Sequence, residues 1–157
     1  MKESAKLAAL LGEAQEAAVA RDYARAERLL GLVLAAQPCE IRALDLLGFV
    51  LFFQGRYAEA ERACRRVLDL DSRHAYAHKG LGLCLARQGR VEEGVACLEE
   101  AIRIEPRWFD PRWDLAVVFK EAARILDALR VLREAESELP EHRGRYSAFR
   151  EELEVLL

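Results

Sequence analysis

No stretch of this chain is apolar for long. The most hydrophobic window, Leu46 to Phe53, is eight residues, against the roughly 20 that a membrane-crossing helix needs. No secretory leader is expected, since Met1-Lys2-Glu3-Ser4-Ala5-Lys6 runs straight into a helical pattern. Charge of one sign is scarce. The net charge is −3 and the signs are interleaved, as in Glu59, Glu61, Arg62, Arg65 and Arg66. Such a surface does not steer nucleic acid or hold a membrane. Only four cysteines occur, Cys39, Cys64, Cys84 and Cys97, with no CxxC pair and no disulfide-framework spacing. They read as reduced, buried small hydrophobes in a cytoplasmic protein. Few lysines stand beside many arginines and alanines, a bias that points to a GC-rich bacterial genome. Asparagine is absent altogether.

Catalytic patterns are lacking as well. There is no phosphate-cradling glycine loop and no nucleophile elbow, and Gly80-Leu81-Gly82 lies within a helical pattern. Acidic runs such as Glu92-Glu93 and Glu99-Glu100 fall on solvated helix faces. His74 and His78 are spaced to share a helix face, but no third ligand is near, and His74 falls in the turn before the helix. No metal, cofactor or enzymatic activity is therefore expected.

What the chain does have is a period. Tyr23, Tyr57, Val91 and Ile125 are 34 residues apart, and so are Ala26, Ala60, Gly94 and Ala128. Ala14, Gly48, Gly82 and Ala116 form another column; Arg21, Gly55, Gly89 and Ala123 mark a turn, and Pro38, Ser72, Pro106 and Pro140 a boundary. Apolar residues recur at three- and four-residue steps within each unit, as in Leu44, Leu47 and Leu51, followed by Tyr57, Ala60, Cys64 and Val67. Each unit is therefore a pair of amphipathic helices, and a fixed period of such pairs stacks into a solenoid. Gly48 and Gly82 fall mid-helix, where glycine costs about 1 kcal/mol relative to alanine. Close crossing of two helices explains them.

Leu47-Gly48-x2-Leu51 with Ala60-x3-Cys64, and Leu81-Gly82-x2-Leu85 with Gly94-x3-Leu98 and Pro106, resemble the tetratricopeptide repeat. The resemblance covers about residues 7–142. It implies an all-α, right-handed solenoid of four repeats at 7–40, 41–74, 75–108 and 109–142. The family's aromatic at the start of each repeat is replaced by Leu10, Leu44, His78 and Arg112. The fourth repeat lacks both glycines, having Ala116 and Ala123. Residues 143–157 continue the spacing through Tyr146, Phe149 and Leu153, but Arg150 stands where a small crossing residue is needed. They are expected to form a terminal capping helix, apolar inward and polar outward. Ser4 is a candidate cap for the first helix, and Asp110-Pro111 for the start of the fourth repeat.

The resemblance also implies a function. In this family the first helices line a concave groove that receives a peptide or partner helix. Here the lining would be Gln15, Ala18 and Val19; then Arg42, Asp45, Phe49, Phe52 and Phe53; then Tyr76, Lys79, Leu83, Ala86 and Arg87; then Asp110, Trp113, Val117, Lys120 and Glu121. Phe49, Phe52 and Phe53 exceed what the core stripe needs, and exposed aromatics gathered together mark a binding surface. The competing reading packs Phe52 over Ala18 and Ala86, and Phe49 on Leu83. Trp113 is expected to form the opposite wall, and Trp108 to pack at a helix boundary.

The clamp by which chaperone adaptors hold acidic peptides does not fit, since Gln15, Phe49, Leu83 and Val117 stand at its centre and asparagine is missing. An apolar groove rimmed by Arg42, Lys79, Arg87 and Lys120 suits an amphipathic or extended apolar segment. A non-enzymatic interaction module follows. Two alternatives stand beside it: a chaperone resembling those of type III secretion translocators, and self-assembly into a homo-oligomer through the groove or an edge.

Overall fold

A computed structural model describes residues 1–157 and contains nine α-helices and no strand. They are α1 (Lys2–Val19), α2 (Tyr23–Ala36), α3 (Ile41–Phe53), α4 (Tyr57–Leu70), α5 (Ala75–Arg87), α6 (Val91–Ile104), α7 (Phe109–Glu121), α8 (Ile125–Glu138) and α9 (Arg143–Glu154). A single 3₁₀ turn, Pro140–His142, links the last two. Consecutive helices pack as antiparallel neighbours, and α1, α3, α5 and α7 also touch in series along one side of the stack. No helix is long and apolar enough to cross a membrane.

The turn column acts alike in all four units. Arg21, Gly55, Gly89 and Ala123 adopt φ of 60°, 75°, 81° and 58°. In each, the next residue's N–H reaches five residues back: Asp22 to Ala17, Arg56 to Leu51, Arg90 to Leu85 and Arg124 to Phe119, at 2.8–2.9 Å. This bond closes a helix end through one left-handed residue. The glycine-free fourth unit thus makes the same turn as the others, with Ala123 holding a conformation that disfavours a side chain.

The residues after those turns also tie neighbouring units together. Arg56, Arg90 and Arg124 each pair with an acid three positions on, Glu59, Glu93 and Asp127. Each also reaches back one unit, to Glu27, Glu61 and Glu92.

The mid-helix glycines separate into two cases. A Cβ on Gly82 would lie 2.8 Å from the Gly94 carbonyl and 2.9 Å from Leu98 Cγ, and one on Gly94 only 2.6 Å from the Gly82 carbonyl. Helices α5 and α6 therefore cross backbone to backbone. A Cβ on Gly48 would meet Cys64 Sγ at 3.5 Å, an ordinary contact. Only the third unit needs its glycine for space.

Several expected details differ. Helix α1 begins at Lys2 with Met1 as its cap residue, so Ser4 lies inside the first turn and caps nothing. Helix α7 begins at Phe109 after Trp108, which puts Asp110 and Pro111 in the first turn instead of at the cap. Cys64 and Cys84 are buried and Cys97 half-buried, but Cys39 is exposed in the α2–α3 connection. The buried guanidinium of Arg112, at the position of the missing aromatic, donates to the Pro106 carbonyl at 2.6 Å and pairs with Glu138.

At the far end α9 packs on α8 with Tyr146, Phe149 and Leu153 buried. Tyr146 donates to the Phe109 carbonyl at 3.2 Å. Arg150 does not enter the core; it pairs with Glu136 and Glu154 at 2.8 Å each.

Candidate functional site

A single hollow of about 480 Å³ joins α3, α5 and α7. Helix α3 contributes Phe49, Phe52 and Phe53 because its core stripe is already filled by Leu44, Val50 and Leu51, all buried. The three rings pack on one another, with Phe49–Phe53 centroids 4.6 Å apart and Phe52–Phe53 5.5 Å. Tyr57 meets Phe52 at 5.3 Å, and Tyr23 stacks on Phe53 at 6.3 Å.

The three rings divide between packing and exposure. Phe49 rests partly on the first unit's core and Phe52 on Leu51, Ala60 and Cys84. Phe53 remains 55% exposed. The packing of Phe49 and Phe52 is thus with these neighbours, while Leu83 and Ala86 join the C-terminal core.

Helix α5 forms the floor with Lys79, Gly80, Leu83, Cys84 and Arg87, and α7 the far side with Asp110, Asp114 and Val117. Tyr76 stands at the end of the groove, between it and a smaller hollow lined by Leu11, Gln15, Arg42, Asp45 and Leu46. Arg42 therefore belongs to the neighbouring hollow. A Cβ on Gly80 would come within 2.9 Å of Cys64 Sγ, so the bare backbone there makes room for the thiol under the floor. The Cys84 thiol hydrogen-bonded to it and burial both push the Cys64 thiol well above the usual range, which leaves it an inert filler.

The groove's charges are concentrated at the Tyr76 end. Lys79 Nζ lies 3.4 Å from Asp114 Oδ2 and 4.0 Å from Asp110 Oδ2. The same ammonium sits 5.8 Å from the Tyr76 ring and 5.5 Å from the Trp108 ring, both in cation–π range. Burial raises the Asp114 carboxyl, opposed by Lys79. It also raises the Tyr76 hydroxyl to about 12. Asp45 is likewise raised by burial against the pull of His74, whose Nε2 is 2.7 Å away. At the other end Arg87 pairs with Glu121 at 3.2 Å and lies 6.0 Å from the Phe52 ring. The histidine pair does not converge, since His78 Nε2 bonds the Ser72 carbonyl at 2.9 Å. No group of three or more His, Cys, Asp or Glu is placed to hold a metal ion.

Of the expected groove residues, Phe49, Phe52, Phe53, Tyr76, Lys79, Leu83, Arg87 and Val117 come together around one space. Trp113 and Lys120 do not. Trp113 packs on Phe149 of α9 at 4.7 Å and on Phe109 at 5.5 Å. Lys120 Nζ lies 5.4 Å from the Phe149 ring. The capping helix takes both positions out of the groove. Asp114 was not foreseen: it follows Trp113 in sequence, and only the neighbouring helix's Lys79 reveals its side.

The sequence matches the family model described as tetratricopeptide repeat over residues 46–111. A curated Arabidopsis thaliana protein, described as probable UDP-N-acetylglucosamine–peptide N-acetylglucosaminyltransferase SPINDLY, is 29% identical over 79 residues. That is 50% of this chain and 9% of that protein. A solved O-GlcNAc transferase mutant from Thermobaculum terrenum superposes with a TM-score of 0.75 at 31% identity, over 85% of this chain and 27% of the other. The first such repeat domain of Spaghetti (RPAP3), bound to the HSP90 peptide SRMEEVD, gives a TM-score of 0.70 at 19% identity, over 76% of this chain and 95% of that one. The last likeness is one of fold alone. This chain spans about a tenth of the curated relative and a quarter of the transferase.

Proposed function

Because the chain belongs to the tetratricopeptide-repeat family, whose fold is a protein-interaction scaffold, we propose that it is a non-enzymatic adaptor that holds one partner segment in the α3–α5–α7 groove. The observation that carries this reading is the aromatic cluster, half-buried at Phe49 and Phe52 and exposed at Phe53, that opens onto a 480 Å³ apolar space. A ring left 55% exposed at Phe53 forgoes burial that is worth roughly 1.5–3 kcal/mol when complete. A partner's apolar side chains recover it. The volume suits two or three such side chains and is in the range of a small-ligand pocket. The Spaghetti domain, with the same fold, is seen bound to a peptide, and that supports peptide capture as the mode here. The transferase activity of the longer relatives is not carried over, since most of their length has no counterpart in this chain.

The test is a binding comparison of wild type with Phe49→Ala/Phe53→Ala, using peptides selected by display on the full chain. The double variant should lose binding at least tenfold, keep its helical signal and lose about 2–3 kcal/mol of stability, as two partly buried rings imply. Unfolding of the variant would make the rings core residues. Solution mass by light scattering separates the alternatives. A monomer leaves the groove open to a partner, whereas a dimer that the double variant dissolves makes self-assembly the function. Aggregation of the chain alone, relieved by a co-expressed client, would favour a dedicated chaperone.

A further inference from the structure

The groove's apolar wall says that a partner docks; its charges say what the partner carries. At the Tyr76 end a single cation, Lys79, serves two carboxylates, Asp114 at 3.4 Å and Asp110 at 4.0 Å. The ammonium is held against the Tyr76 and Trp108 rings and is 19% exposed. Asp114 Oδ2 is shut off from water, and its one donor is that ammonium at the long distance of 3.4 Å. A buried acceptor held by one long contact is only partly satisfied, and burial presses that carboxyl toward its neutral form against the pull of Lys79. Asp110, 54% exposed and 4.0 Å from the same ammonium, is the carboxylate of the pair that a second donor can reach. The other cation in the groove, Arg87, is already paired with Glu121. Arg42 lies in the adjoining hollow, on the far side of Tyr76. With Glu121 counted beside the lining residues, three acids, Asp110, Asp114 and Glu121, stand against the two cations Lys79 and Arg87, and the two aspartates lie across the space from the apolar wall on α3.

From this juxtaposition we infer that the partner segment carries a basic residue, arginine or lysine, flanked by apolar side chains, whose cation seats against Asp114 and Asp110 while the apolar groups lie on Phe49, Phe53 and Leu83. The inference rests on the reading of the groove as a docking surface and narrows it to one chemistry. An acidic peptide would bring like charge against two carboxylates and is disfavoured.

The experiment is a display selection of random twelve-residue peptides on the full-length chain, followed by affinity measurement of the selected peptides by fluorescence anisotropy. The expected winners place an arginine or lysine among apolar residues. Changing that residue to glutamine should weaken binding at least tenfold, and so should Asp110→Asn/Asp114→Asn in the protein. Both changes together should add little to either, because they remove the same contact. The peptide-side change leaves the protein untouched, so the result does not depend on the variant's folding. Peptides that need Phe49 and Phe53 but ignore both charge changes, or that are enriched in acids, would overturn the basic anchor and keep the groove. Failure to select any peptide that depends on Phe49 and Phe53 would overturn the docking reading itself. A wild-type dimer that Phe53→Ala dissolves would make the occupant a second copy and overturn the inference.

Discussion

Two aromatic clusters lie along the solenoid, built from similar residues with opposite outcomes. Near the C-terminus Phe109, Trp113, Tyr146 and Phe149 interlock at centroid distances of 4.7–5.5 Å. Helix α9 closes over them, and Arg145 lies 3.8 Å from the Phe109 ring centre. Toward the N-terminus Tyr23, Phe49, Phe52, Phe53 and Tyr57 gather at 4.6–6.3 Å, yet Phe53, with only the Tyr23 ring stacked against it, stays 55% exposed. Ring content alone does not decide whether a cluster is core or surface. What decides is whether the chain supplies a further helix to cover it, and it does so only once.

The strongest way to break that contrast is to remove the cover. Truncation before Glu141 deletes α9 with the buried Tyr146, Phe149 and Leu153, whose burial is together worth roughly 5–9 kcal/mol. The shortened chain should aggregate or melt far below wild type in thermal denaturation. Equal solubility and stability would show that α9 is not a cap.

A smaller effect compares the units on either side of the groove. Gly82→Ala should cost about 1–3 kcal/mol by chemical denaturation, since the backbone of α6 cannot retreat. Gly48→Ala should be neutral or stabilising by up to about 1 kcal/mol, because space is available and alanine favours the helix. Equal penalties at the two sites would contradict the difference between the crossings.

The turn column gives a finer test. Ala123 adopts the left-handed conformation that Gly89 adopts one unit earlier. Ala123→Gly should stabilise by about 0.5–1 kcal/mol, the relief of the αL strain outweighing the glycine's greater unfolded-state freedom. Gly89→Ala should destabilise by a similar amount.

The smallest expected change is at Asp114. Its folded-state carboxyl is raised by burial, so the fold favours the neutral form. That favourable contribution is present at acid pH, below the unfolded-state value, and is lost as pH rises through the folded value. Asp114→Asn, which resembles the neutral acid, should therefore melt slightly higher than wild type at pH 7 and match it near pH 3. A variant less stable than wild type at pH 7 would show that the Lys79 pair outweighs burial. The acid would then need no partner to justify it.

Much of this was legible in the sequence, for a reason that also marks the limit. A period of 34 repeats the local environment, so helix pairs, turns and the groove face of α3 follow from columns of residues. Ends and pairings do not repeat. Asp45, Lys79 and Trp113 share one column, yet only Trp113 meets α9, and the column cannot say so. Gly48 and Gly82 share another, but one faces Ala60 and the other Gly94, and that partner sets the space. Asp114 is concealed for the same reason, since Gly80 and Leu46 stand in its column and give no sign of a buried acid.

The most direct test of the open groove is amide hydrogen exchange of the full chain, with and without a selected peptide. Protection that rises along α3, α5 and α7 while α9 and the outer helices stay unchanged is the result predicted here. Protection confined to α9, or to the face formed by α2, α4, α6 and α8, would contradict it and move the binding surface elsewhere on the solenoid.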